Sequence, residues 1–119
     1  MTRLVNNGRL AVREFGDCYK SSYEAANELD ELSEFGICPE DVKVVHGGIT
    51  PLGGIDKGRE IHHAWVEMGD CVIETSNGQQ ERFTKNKFYT LLHATIDHVY
   101  SVKEAKAHVE RSGKFGRWD

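Results

Sequence analysis

Apolar positions recur at helical spacing between Cys18 and about Leu32, where Tyr19, Tyr23, Ala26 and Leu29 form one stripe. Gly16-Asp17 reads as a loop end with Asp17 as N-cap, so the predicted first helix opens at a cysteine. Phe35-Gly36-Ile37-Cys38-Pro39 breaks that helix. Three runs with strand character follow. Val42 to His46 ends at Gly47-Gly48, Glu60 to Met68 precedes a tight turn at Gly69-Asp70, and Cys71 to Thr75 completes a hairpin. The glycine-rich stretch from Pro51 to Gly58 reads as a mobile loop, and Asn77-Gly78 marks another turn.

Lys85 to about His93 predicts a short helix with Phe88, Leu91 and Leu92 facing inward, and Thr95 to Tyr100 a further strand. Ser101 and Glu104 form a capping box, so a last helix runs from Val102 to about Arg111 and stops near Gly113. A helix, a strand-rich meander and closing helices make an α+β fold. The 119 residues have room for one domain, 1–119, with no repeat or linker to divide it.

Composition narrows the function. A formal net charge of −4 argues against a general nucleic-acid binder, which presents a basic face. Six acids and no bases lie between Glu28 and Asp41, a run that reads first as a solvated helix face. No apolar run is long enough for a signal peptide or a membrane span. Cys18, Cys38 and Cys71 make an odd count without a Cys-x-x-Cys pair, so a reducing compartment fits better than a disulfide framework or a structural zinc. These features together predict a cytoplasmic protein without membrane attachment or cofactor.

The candidate chemistry starts at Cys18. A thiol becomes a nucleophile as its thiolate, which a helix start and a neighbouring imidazolium both favour. In the hairpin, a two-residue turn at Gly69-Asp70 would pair Met68 with Cys71, Trp65 with Glu74, and His63 with Ser76. His63, Trp65, Glu74 and Ser76 then share one face, and His63 and Glu74 become diagonal neighbours about 7–8 Å apart at the backbone. A three-residue loop would put Glu74 on the wrong face. In the first register His63 takes the thiol proton, and Glu74 accepts from the other ring nitrogen to fix the tautomer. Trp65 would wall the ring off from water.

Asp17-Cys18-Tyr19, Val45-His46-Gly47, His63-Ala64-Trp65-Val66-Glu67 and Val72-Ile73-Glu74-Thr75 occur in this order. In that order and spacing the chain resembles the papain-like and transglutaminase-like cysteine enzymes, above all small bacterial and phage-type members. Around the histidine it is similar to lasso-peptide leader peptidases. The Tyr100-Ser101 to Glu104 segment and Gly116-Arg117-Trp118 extend the resemblance to most of the chain from Gly16 onward. It departs at Glu74-Thr75-Ser76, where the family usually has Asp-Pro-Thr.

The resemblance implies a papain-like core with a Cys-bearing N-terminal helix on an antiparallel sheet. Cys18 would be the nucleophile, His63 the base and Glu74 the acidic third member of a hydrolase acting on an amide of a peptide or protein through a thioester. Hydrolysis is favoured over acyl transfer, because nothing suggests a second-substrate site. Oxyanion donors in such enzymes combine the cysteine's own N–H with an upstream polar side chain, and neither Asn6, Asn7 nor Arg13 is placed by a motif.

Other residues read as structural. His62 points away from His63, His46 reads as a buried, hydrogen-bonded histidine, and Cys38 and Cys71 as small buried hydrophobes. Glu67 lies on the His63 face and is expected to pair with a nearby base. The loop from Gly53 to Gly58 reads as a plain connection, with a gating flap as its functional alternative. Two other functions compete with the enzyme: an inactive papain-like scaffold kept for binding, and a metal site from His46, His62, His63 and a cysteine. The second is disfavoured because adjacent strand residues face apart.

Overall fold

The computed structural model describes residues 11–32, 42–75, 80–116 and 118, with residues 11–17 described as backbone only. Helix α1 (Ala11–Leu32) is followed by strands β1 (Val42–Ile49), β2 (Ile61–Met68), β3 (Cys71–Glu74) and β4 (Glu81–Thr84). Helix α2 (Lys85–Leu92), strand β5 (Thr95–Ser101) and helix α3 (Val102–Ser112) complete the order. The strands form one antiparallel sheet in the order β4-β3-β2-β1-β5. The fold is α+β. The expected breaks at 35–39 and 77–78, and Cys38 and Ser76, lie outside the described residues.

Strand alternation divides the core between the two faces of the sheet. Val42, Val44, Val66 and Ile73 pack with Ala25 and Ala26 of α1 and with Val102 and Ala105 of α3. Val45, Ile49, Trp65 and Val72 pack with Phe88 of α2. Phe88 is fully buried, which contributes about 1.5–3 kcal/mol. Thr84 caps α2 by accepting from the Lys87 N–H. Leu92 joins the core beside it, whereas Leu91, expected to face inward, is 41% exposed.

Several boundaries differ from the sequence reading. α1 begins two turns ahead of Cys18 and runs through Gly16-Asp17, so Asp17 does not cap it and the cysteine does not open it. An interior glycine costs only about 1 kcal/mol, which a 22-residue helix packed on the sheet through Ala25 and Ala26 absorbs. Its buried stripe is Cys18, Ser22, Ala25 and Ala26, with Tyr23 and Leu29 at the flanks. β4 has no counterpart in the sequence reading, because Glu81-Arg82-Phe83-Thr84 carries a single large apolar residue. The capping box at Ser101 forms as expected: the Ser101 N–H donates to Glu104 and the Glu104 N–H to the Ser101 hydroxyl.

β1 does not stop at Gly47-Gly48 but continues through both to Ile49. The reason is close approach rather than a turn. A Cβ at Gly47 would stand 1.9 Å from the Thr95 carbonyl oxygen and 3.0 Å from the Trp65 ring. Gly47→Ala therefore has to push β5 away from β1, and a loss of about 1–3 kcal/mol is expected, read as a lower urea midpoint at unchanged m-value. The loop between β1 and β2 is tied by turn hydrogen bonds, among them the Gly58 N–H to the Pro51 carbonyl oxygen at 3.0 Å.

Candidate active site

The hairpin closes as a two-residue turn. Met68 pairs with Cys71, Glu67 with Val72 and Val66 with Ile73, with Gly69 at φ 59° in the turn. This is the register that puts Glu74 on the His63 side. β3 pairs with β2 only from Val66 to Met68. The half of β2 that carries His63 thus has β1 on one side and, among the described residues, no strand on the other. There the ring meets Glu74 and Cys18.

Nε2 of His63 lies 2.8 Å from one Glu74 carboxylate oxygen and 3.0 Å from the other. Cys18 is hydrogen-bonded to the same ring. Because Nε2 is committed to the carboxylate, Nδ1 is the nitrogen left to exchange a proton with sulfur. The extra methylene of glutamate spans the gap and brings both oxygens to one nitrogen. Three side chains from α1, β2 and β3 thus converge.

Burial by itself would push the His63 pKa down; the hydrogen bonds to Cys18 and Glu74, together with the charge on both, outweigh it and raise the pKa from 6.5 to about 9. The imidazole is therefore cationic at neutral pH, held between two groups that stabilise its positive charge. The centre is closed to solvent: Cys18 has no exposed surface and His63 is 5% exposed.

The neighbours of the ring explain its fixed position. Trp65 is fully buried and stacks on His63 with ring centroids 6.2 Å apart. Its indole N–H donates to Glu67 at 3.0 Å. Glu67 is buried too; the Tyr89 hydroxyl donates to it, and Lys85 pairs with it at 3.3 Å. These partners account for a carboxylate surviving in the core. Burial and the Glu67 carboxylate push the Tyr89 phenol up. Lys85 is the base expected for Glu67. Neither it nor Tyr89 was identifiable beforehand, because both lie on α2 and reach the site only through tertiary packing.

The helix-start mechanism for activating Cys18 is overturned. The unpaired N–H groups and the dipole effect belong to the first turn, and Cys18 lies two turns inside α1, where its own N–H follows the helical pattern to the Glu14 carbonyl. That N–H is thus not a ready oxyanion donor. His63 takes over the electrostatic role assigned to the helix end. Asn6 and Asn7 lie outside the described residues, and Arg13 is described as backbone only.

His62 is exposed, as its strand parity requires. His46 is buried against the rings of Tyr19, Tyr100 and Trp118. Cys71 is half-buried rather than fully buried. Among the described residues no group of three or more histidine, cysteine, aspartate or glutamate side chains could hold a metal ion. No described helix is long and apolar enough to cross a membrane. Comparison with known proteins finds no matching family model, no matching curated protein and no matching solved structure.

Proposed function

We propose that this chain is a cysteine-dependent hydrolase with a papain-like or transglutaminase-like core, acting on an amide bond of a peptide or protein. One observation carries the reading: a single buried imidazole lies between the Cys18 sulfur and both oxygens of Glu74. The Cys18 thiolate attacks the amide carbonyl carbon, and the carbonyl π electrons move to oxygen. When the tetrahedral intermediate collapses, the C–N bond breaks and His63 gives its proton to the departing amine, leaving a thioester on Cys18. Neutral His63 then takes a proton from water as the water attacks the thioester; the acid leaves and the thiolate–imidazolium pair returns. Glu74 keeps the ring oriented and its cationic form stabilised throughout.

Iodoacetamide labelling followed by mass spectrometry tests the nucleophile. Cys18 is expected to react well ahead of Cys38 and Cys71, and His63→Ala to remove that advantage. Equal, slow labelling of all three thiols would count against the enzyme. A scaffold kept for binding alone draws on a different fact, that the sulfur has no exposed surface; failure of a small alkylating agent to reach it would favour that reading.

The proton on His63 also sets a pH dependence. Its folded pKa of about 9 stands above the ordinary 6.5, so the native state binds the proton more tightly than the unfolded chain. The stabilisation, on the order of a few kcal/mol, is fully present below pH 6.5 and is lost as pH rises through about 9. Amide hydrolysis should fall over the same upper limb, because the general acid for the leaving amine disappears. Urea unfolding and kcat/KM followed from pH 6 to 10 read both effects, and an activity still rising beyond pH 10 would exclude His63 as the acid.

A further inference from the structure

His63, Trp65 and Glu67 alternate along one face of β2, and the third is a carboxylate only 6% exposed. One of its oxygens, Oε2, accepts from the Trp65 indole N–H at 3.0 Å and from the Tyr89 hydroxyl. The other, Oε1, pairs with Lys85 at 3.3 Å. Burying a charge is expensive even when it is paired, and packed hydrophobic residues in its place are often neutral or stabilising. Stability therefore does not account for a carboxylate at this position, and the reaction proposed above gives it no part.

Its effect falls on the indole. A buried indole N–H needs an acceptor, and Glu67 supplies one on a single side of the ring, so the indole cannot turn over without leaving that N–H orphaned. Phe88 and Tyr89 close on the same indole with ring centroids at 5.1 and 6.2 Å. In this orientation its face lies along the His63 ring, with centroids 6.2 Å apart and planes at 29°. An aromatic face attracts a cation at about this range, and the imidazole of His63 is cationic at neutral pH.

We propose that Glu67 and Tyr89 are positioning residues for the reaction: together they hold the Trp65 indole against the imidazolium of His63 and so keep that ring aimed at the Cys18 sulfur. The inference rests on the hydrolase reading above and adds two residues that act through a third. Cys18 of α1 and Glu74 of β3 face the imidazole itself. Around the carboxylate stand Lys85 of α2 and Lys43 of β1, its partner in the strand register.

Glu67→Met removes the acceptor and leaves the indole N–H without a partner. It is expected to lower kcat about ten-fold with KM unchanged, and to move the high-pH limb of activity toward neutrality, because the imidazolium loses the support of the indole face. Glu67→Gln keeps an oxygen for both donors and should restore most of kcat. Tyr89→Phe removes one hydroxyl from a half-buried position on α2 and should fold even if Glu67→Met does not; its limb should move in the same direction by less. NMR titration of the His63 imidazole and the pH dependence of Cys18 alkylation follow the ring in each variant without any turnover. A merely structural network would lower the urea midpoint and leave the titration and the limb where they are, and that result in folded Tyr89→Phe overturns the inference. Equal loss of kcat in Glu67→Gln and Glu67→Met also overturns it, since the acceptor would then not be what matters. A wild-type chain that cleaves no amide, while its imidazole titration still shifts in the variants, defeats the hydrolase reading alone and leaves the positioning of the ring supported.

Discussion

Cys18→Ala is expected to lower amide hydrolysis by at least about 10⁴-fold and to leave the chain folded. The sulfur is hydrogen-bonded to the His63 ring, and alanine has no atom with which to form the thioester. The fold should tolerate the change because a single buried sulfur is removed from the α1 stripe, a cost of about 1 kcal/mol. The substitution also removes one of the groups that keep the His63 proton in place, so the His63 pKa should fall below about 9. Three measurements check this: turnover of a fluorogenic peptide library, thermal unfolding, and NMR titration of the imidazole. Turnover persisting in a folded Cys18→Ala protein would remove the sulfur from the reaction.

Glu74→Gln is expected to cost about 10²- to 10⁴-fold in kcat/KM. The carboxylate accepts from Nε2 with both oxygens, at 2.8 and 3.0 Å. An amide at the same place retains one acceptor, offers a donor in place of the other, and carries no charge. It therefore stabilises the imidazolium less and permits the wrong tautomer. Both effects lower the His63 pKa, so the high-pH limb of activity should move toward neutrality together with the loss in rate. A merely structural role for Glu74 would reduce stability without moving that limb. An unchanged limb and rate would mean that another group orients the ring.

Much of the fold was legible in local pattern. The Gly69-Asp70 turn sets the hairpin register, since strand parity then carries His63 and Glu74 to the same side. The capping box at Ser101 and the glycine at the end of α3 act within a few residues, and the chain needs no distant contact to express them. His63 and Glu74 were readable for the same reason: they lie eleven residues apart across one turn.

Other features were decided at longer range. The start of α1 differs from the sequence reading because Gly16-Asp17 has the local character of a break, yet the 22-residue helix runs through both. With the helix start removed, nothing local shows what polarises Cys18. Gly47-Gly48 looked like a strand end, yet Gly47 is needed where β5 and Trp65 close on β1 from two different parts of the chain. Lys85 and Tyr89, which complete the Glu67 network beside the imidazole, come from a helix on the far side of the hairpin.

The amino-acid order alone thus determined the α+β class, the hairpin and the shared side of His63 and Glu74, because periodicity and turn chemistry act between near neighbours. Tertiary structure alone decided how far α1 extends and that the histidine, without a helix end, supports the sulfur. These depend on distances between segments remote in sequence, which no local pattern encodes.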